Sequence, residues 1–293
     1  MKSKYLEVLK NFNVTPNFYC SQEYFEKAKL KEVVIDDLIF WEEDDWIICP
    51  PINIYTGELF SGIFTPDQSR YLSHMSGKKR VWSSFQDWHL PDTWKEEFLD
   101  YEYFYRPKDF TRLEGGRWQV FRKNIRKFPG RYGKAPLDYT YVEYIEDKKG
   151  EEFVTDQLEI LFLDWLEMQG REEKIEDDEV IMSYLYEGNL RKVLFDKDFT
   201  ILGINIWDFN HSFINFRFSF NRGHKFLSEY IRYLFYTDSE ILNQNKLIND
   251  GGILGDKNIQ AFKEKLNPAH RTKLFSYTKT EGKDEKDGVV IGN

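Results

Sequence analysis

Cysteine is scarce in this chain: Cys20 and Cys49 are the only two in 293 residues. Two thiols cannot build a disulfide framework, and their surroundings carry no metal-ligand spacing, so the chain reads as a protein of a reducing cytoplasm. Histidine is as thin. His74, His89, His211, His224 and His270 are scattered, with no pair at the helical spacing of a metal site, and no metal is expected. His211 reads as a turn residue rather than a base. No run approaches the roughly 20 apolar residues that a membrane span needs, so no transmembrane segment is expected. The opening Met1-Lys2-Ser3-Lys4-Tyr5 leads into a charged stretch without the apolar core of a signal peptide. There is no Gly-x-Ser-x-Gly elbow and no Gly-x-x-x-x-Gly-Lys-Ser/Thr phosphate loop. Positive charge is in deficit. A net charge of -9 excludes a surface that binds nucleic acid throughout and leaves only a local basic patch for that role.

What is abundant is aromatic. With 25 Phe, 18 Tyr and 41% hydrophobic residues the chain can fill a substantial core, and its length suits two domains. Helical spacing opens the chain around Tyr5, Leu6 and Leu9. Two apolar runs follow, residues 33–41 and 46–49, separated by the acidic cluster Glu42-Glu43-Asp44-Asp45, which reads as one β-hairpin. A basic amphipathic helix is predicted near 116–128, stopped by Pro129-Gly130, and residues 139–145 alternate as a strand. Beyond residue 151, Leu158, Leu161, Phe162 and Trp165 stand at helical spacing, and another helix follows the acidic loop 172–179. Three strands then form a meander, at 192–195, 199–207 and 213–220, with Ile214, Phe216, Phe218 and Phe220 expected on one face of the last. A long helix is predicted over 226–242, with Leu227, Ile231 and Leu234 on one stripe. Asp256 is placed to cap a final helix carrying Ile259, Phe262 and Leu266 and ended by Pro268. Residues 274–278 read as a closing strand and 280–293 as a disordered tail.

Two segments carry a family resemblance. The first is Tyr101-Glu102-Tyr103-Phe104-Tyr105-Arg106-Pro107, then Leu113-Glu114-Gly115-Gly116-Arg117-Trp118, then Phe121-Arg122-Lys123-Asn124-Ile125-Arg126-Lys127-Phe128. The second is Leu247-Ile248-Asn249-Asp250-Gly251-Gly252 and Phe262-Lys263-Glu264-Lys265-Leu266-Asn267-Pro268. In order and separation they resemble the C-terminal catalytic domain of phosphatidylglycerol lysyltransferases and its soluble bacterial and phage relatives, over roughly the last two-thirds of the chain. The family's longer acidic stretch after the Asn is shortened here to Asp250. The order of elements in the second half also resembles a GNAT-type acyltransferase domain. The resemblance implies a mixed α/β (α+β) fold of tandem GNAT-like domains, each a mainly antiparallel mixed sheet flanked by helices. The expected boundaries are 1–150 and 151–279, with the tail from 280.

The implied activity is transfer of an acyl or aminoacyl group from an activated, phosphate-bearing donor, acyl-CoA or aminoacyl-tRNA, to an amine or hydroxyl acceptor that the sequence does not name. The alternative is a catalytically silent GNAT-like binding module. Arg122, Lys123, Arg126 and Lys127 cover one flank of the basic helix, either as a solvated face or as an attractor of the donor's phosphates. Arg117 and Asn124, at a seven-residue spacing off that flank, suit specific hydrogen bonds. Arg222, Gly223 and Lys225 sit where acyl-CoA users of the class keep a Gly-rich phosphate turn, and the same residues also read as an ordinary strand-to-helix turn. Asn249 and Asp250 are either a plain turn or the lining of the acceptor site. Lys263 is a solvated charge or a donor contact. Tyr277, on the closing strand, is a core tyrosine or the acid that protonates a leaving group.

Overall fold

The computed structural model describes residues 2–59, 74, 78–83, 94–132, 139–143, 151–168, 170, 178–187, 191–253 and 255–279. The tail from 280, the acidic stretch 171–177 and residues 144–145 of the predicted strand lie outside them. The chain forms two compact units. The first gathers residues 1–20, 29–100 and 272–293, and the second gathers 21–28 and 101–271. Contacts divide the chain near 100 and 271. Residues 101–132 pack within the same unit as residues 151–271, because the aromatic strand and the basic helix bury their apolar sides there.

In the first unit, α1 (Lys4–Asn11) is capped by the Ser3 hydroxyl, which accepts the Leu6 amide, and buries Tyr5, Val8 and Leu9. Its N-terminus also meets Glu32, whose carboxylate accepts the Tyr5 amide at 3.0 Å and the Ser3 hydroxyl at 2.6 Å. The apolar run at 33–41 is itself folded in two. Strand β1 (Lys31–Ile35) turns at Asp36, φ +55°, into β2 (Leu38–Glu43), which turns again at Asp44, φ +47°, into β3 (Trp46–Ile47). One expected hairpin is two, since Asp tolerates the left-handed region at both corners. Short β4 (Ile52–Asn53) pairs with β2, and β5 (Lys79–Ser83) lies parallel to β3 and antiparallel to the end of the chain.

The second unit takes in α2 (Gln22–Lys27), capped by Ser21. The last residues of β6 (Trp94–Tyr105) lead into α3 (Pro107–Arg112). A 3-10 turn at Gly116–Trp118 then opens α4 (Gln119–Tyr132). This helix runs through Pro129 instead of stopping there. The proline removes one backbone donor, but Phe128 is wholly buried beside it and anchors the last turn against Leu227 and Ile231. Strand β7 (Tyr139–Glu143), helices α5 (Glu151–Met168) and α6 (Asp178–Glu187), and the meander β8 (Arg191–Asp196), β9 (Ile201–Phe209) and β10 (Phe213–Asn221) follow. Then come α7 (Leu227–Tyr236), α8 (Ser239–Asn243), β11 (Leu247–Asn249), α9 (Lys257–Lys265) and β12 (His270–Lys279). The predicted long helix is broken at Asp238, whose side chain accepts the Glu240 amide and starts α8 afresh. Asp256 caps α9 as the sequence indicated, accepting the Asn258 amide at 2.6 Å.

Within this unit the strands run β6-β11-β10-β9-β8-β7, antiparallel except for β10 with β11. One sheet face packs Trp207, Ile214 and Phe216 under α4 and α7; the other packs Ile204, Ile206 and Phe220 under α5 and α6. Ile214 and Phe220 thus fall on opposite faces, contrary to the alternation. A β-bulge between Phe216 and Phe218 shifts the register. At that bulge Arg217 forms a fully buried ion pair with Asp208, Nε to Oδ2 at 2.7 Å, and Tyr184 and Ser21 each donate a hydroxyl to the same carboxylate oxygen. Gly203 in β9 lets α7 approach, since a Cβ there would stand 2.7 Å from Ile231 Cδ1.

Glu42 in β2 links the first unit's stability to pH. Burial pushes its carboxyl up, but hydrogen bonds from Lys78, His74 and Lys31 outweigh this and hold it at about 2. A carboxylate depressed in the folded state stabilises above its unfolded value and loses that stabilisation as pH falls through its folded value. We expect Glu42→Gln to remove on the order of 2 kcal/mol at neutral pH. It should also flatten the loss of stability between pH 4.5 and about 2, checked by denaturant titrations across that range.

Candidate functional site

The second unit's sheet opens where β11 ends. Strands β10 and β11 run parallel for only three residue pairs, Phe213 with Leu247, Ile214 with Ile248 and Asn215 with Asn249. The chain then leaves the sheet through Asp250-Gly251-Gly252, with Gly251 in the left-handed region at φ +59°. Asn249 sets this turn. Its Oδ1 accepts the Gly251 amide at 3.0 Å and its Nδ2 donates to Glu102 Oε1 at 3.3 Å.

Asp250 is 4% exposed, and a carboxylate so placed requires partners. Helix α7 supplies Arg232 Nη1 at 2.9 Å and the Tyr236 hydroxyl at 3.0 Å, both to Oδ2. Helix α9 supplies the Lys263 ammonium, 3.5 Å from Oδ1. Lys263 also donates to the carbonyls of Asp250, Gly251 (3.1 Å) and Gly252 (2.6 Å). An ammonium has three donors and no acceptor, so three carbonyls converging on it fit a lysine and not a planar guanidinium. Burial, and then the Asp250 charge, push the Tyr236 phenol well up, which keeps it protonated as a donor. Burial opposes the charge of Arg232, but Asp250 and Tyr236 outweigh it and raise its pKa. The Arg232 guanidinium also lies 3.7 Å from the Phe216 ring centroid.

One turn earlier on α7, Glu229 is 8% exposed. Its Oε1 receives Asn124 Nδ2 from α4 at 2.9 Å and Lys265 Nζ from α9 at 2.5 Å. Glu229 and Arg232 stand at i and i+3 and share a helix face. Each is held along one edge and open along another. Among the described residues nothing donates to Glu229 Oε2. Asp250 and Tyr236 are the only described residues that hydrogen-bond Arg232, fewer acceptors than its five N–H donors. A fixed carboxylate beside a fixed guanidinium can take a proton from an amine or hydroxyl and hold an anionic or carbonyl oxygen.

Asn249, Asp250 and Lys263 therefore come together, with Asn124 on the neighbouring Glu229 arm. Asn249, Asp250 and Lys263 are buried within the network, and Asn124 is half-buried at its edge. The remaining expected residues lie elsewhere. Arg117 is 60% exposed on the side chain, 3.9 Å from Asp109. Arg122 spends its guanidinium on the Leu113 and Gly115 carbonyls, so it fixes the end of α3 and is only half exposed. Lys123 and Arg126 are exposed. Arg222 is bound to Asp164 at 2.6 Å and to the Ile201 carbonyl at 2.7 Å. Gly223, at φ +68°, packs so near Met168 that a Cβ would stand 2.5 Å from its sulfur. Lys225 is exposed, 5.4 Å from the Phe226 ring centroid. The Tyr277 side chain lies outside the described residues, although its backbone pairs with Arg80.

Glu229, Arg232 and Tyr236 are the residues that sequence reasoning missed. The available signal was polar groups at i, i+3 and i+7 along a helix rich in apolar and aromatic residues, a pattern that an exposed helix face produces just as well. No group of three or more His, Cys, Asp or Glu among the described residues could hold a metal ion. No helix among them is long and apolar enough to cross a membrane.

Lys263→Met would leave three carbonyls without their donor and Asp250 one cation short. We expect a loss of about 2–4 kcal/mol in urea denaturation. Lys263→Arg should recover little, because a planar fork cannot meet three convergent carbonyls. Asn249→Ala should cost about 1–3 kcal/mol for the same reason of burial.

No protein-family model matches the chain, and no curated protein matches it by sequence. Its fold does have solved counterparts. A conserved protein of unknown function from Bacteroides thetaiotaomicron is similar at a TM-score of 0.71 and 15% identity, over 94% of this chain and 97% of that one. The C-terminal DUF2156 domain ascribed to a lysylphosphatidylglycerol synthetase in Agrobacterium fabrum gives 0.61 at 12% identity, over 96% and 93%. L-PGS from Bacillus licheniformis gives 0.60 at 14%, over 96% and 93%. Identities this low speak for the fold, and at that level the resemblance read from the aromatic strand, the basic helix and the Asn-Asp-Gly turn holds: this chain has the fold of the lysylphosphatidylglycerol synthetase C-terminal domain.

Proposed function

We propose that the chain transfers an acyl or aminoacyl group from an activated donor, acyl-CoA or aminoacyl-tRNA, to an amine or hydroxyl acceptor. The observation that carries this reading is the Glu229–Arg232 pair. Arg232 is held by the buried Asp250 and Tyr236 where β10 and β11 part, Glu229 is held by the half-buried Asn124 and Lys265, and both keep unpaired atoms. In the proposed reaction Glu229 takes the proton from the acceptor as its nitrogen or oxygen attacks the ester or thioester carbonyl. Arg232 holds the oxygen on which negative charge develops, and the leaving thiolate or ribose hydroxyl is protonated as the intermediate collapses. Asn124 and Lys265 keep the Glu229 carboxylate aimed, while Asn249, Asp250, Tyr236 and Lys263 keep Arg232 fixed.

We assign the donor's phosphates to the exposed cations Lys123 and Arg126, with Arg117 and Lys225 as further exposed cations of the same unit. This local patch is the one proposed route to nucleic acid in an acidic chain. We further propose that the two units are the tandem GNAT-like modules. Each has a mainly antiparallel sheet with one parallel pair among its described strands, β3 with β5 and β10 with β11. We propose a cytoplasmic reaction, which acyl-CoA and aminoacyl-tRNA donors support.

Donor binding and transfer are separable tests. A donor analogue at 100 times its dissociation constant should stabilise the protein by about 2.7 kcal/mol, seen as a raised Tm with either coenzyme A esters or an aminoacyl-tRNA analogue. Lys123→Glu with Arg126→Glu should weaken that binding and flatten its salt dependence. Glu229→Gln should leave donor binding intact and lower transfer about 10–100-fold, and Arg232→Lys should lower it by a similar factor. Stabilisation by a donor with no transfer to any amine or hydroxyl acceptor would leave the silent binding module in its place.

A further inference from the structure

The first unit holds two thiols that the proposed transfer does not use. Cys20 and Cys49 are each 0% exposed, and their Sγ atoms stand 3.2 Å apart. Hydrogen bonds fix the chain on both sides of this contact. Cys20 Sγ meets Asn17 Oδ1 at 3.0 Å, and Asn17 Nδ2 reaches across to the carbonyl of Ile48 at 3.2 Å. The Tyr5 hydroxyl donates to the carbonyl of Pro50 at 2.8 Å. The residues just before and just after Cys49 are thus each anchored, one to the segment that carries Cys20 and one to α1. Only about 1 Å separates the sulfur atoms from the ~2.05 Å of a disulfide bond. Two cysteines placed independently in a 293-residue chain have no reason to meet.

We propose that Cys20 and Cys49 form a thiol pair that closes to an intramolecular disulfide when a hydroperoxide oxidises it. One thiolate attacks the peroxide oxygen, giving a sulfenic acid and releasing water or an alcohol. The second thiol attacks the sulfenic sulfur, forming the S–S bond and releasing water. Overall the two thiols give up two electrons and two protons, and the hydroperoxide is reduced to water or alcohol plus water. Burial, and then the neighbouring Cys20, push the Cys49 thiol well up, so the thiolate forms only as the segment opens. Oxidation is accordingly slower than that of an exposed thiol, and the cystine, once closed, is shielded from reductants. Its effect is to tie residues 17–20 to the end of β3 and remove the local opening that the reduced chain permits.

The experiment uses the full chain, treated with hydrogen peroxide, unfolded without reductant and labelled with a thiol-specific mass tag. The expected result is a fall from two reactive thiols to none, a monomer by non-reducing electrophoresis, and one linked peptide pair containing Cys20 and Cys49, two hydrogens lighter than the sum of the free peptides. Its Tm should rise, and dithiothreitol should reverse both changes. Cys49→Ala and Cys20→Ala should each abolish the linked peptide and the peroxide-dependent shift; the wild-type peptide map stands if either variant folds poorly. Two thiols still reactive after treatment, separate sulfinic acids, or cross-linked dimers would each overturn the pair.

Discussion

A carboxylate sealed inside the second unit organises what surrounds it. Asp250 cannot be buried as a charge without compensation, and the compensation comes from three side chains: Arg232 and Tyr236 on α7, and Lys263 on α9. The turn after β11, the pitch of α7 over the sheet and the docking of α9 are thereby fixed by one ionic centre. The same lysine closes the three carbonyls of the turn, so the turn cannot relax without exposing unsatisfied backbone. Rigid placement of Arg232 follows from this, and so does the geometry on which a transfer reaction would depend.

Helix α9 links that centre to the second charged arm. Lys263 and Lys265 project to Asp250 and Glu229, so one short helix steadies both members of the Glu229–Arg232 pair. Buried ion pairs of this kind add less net stability than their Coulomb attraction suggests, because both partners are desolvated. Their value here is in position: a carboxylate and a guanidinium are held against thermal wandering while each keeps unpaired atoms. The Asp208–Arg217 pair on the opposite sheet face does a different job. It pins the bulge that turns β10 over between Phe216 and Phe218.

Much of the architecture was legible in the residues. The meander of β8, β9 and β10, the apolar stripe of α5 and the Asp256 cap of α9 all follow from local pattern and local chemistry, because period, caps and β-branching act over a few residues. Each misreading marks a place where a longer-range contact decided. Pro129 should have ended α4, but the burial of Phe128 kept the helix running. Asp238 split one predicted helix into two, since a side-chain acceptor at an amide competes with continuing the helix. Ile214 and Phe220 were assigned to one face by alternation, which a single-residue bulge reverses.

The sequence by itself determined most of the order of elements, because that depends on spacing along the chain, and its family resemblance gave the fold class and the two segments from which Asn124, Asn249, Asp250 and Lys263 were chosen. It could not determine what these residues do. A lysine in an amphipathic helix and an asparagine in a turn look solvated until partners from distant segments close around them. Only the tertiary structure decided that Lys263 is buried on backbone carbonyls and that Arg122 serves the end of α3. It also brought Glu229 and Arg232 to one helix face with open edges, and set Cys20 against Cys49 across 29 residues of chain. Burial and charge compensation are properties of the assembled core, and no local pattern encodes them.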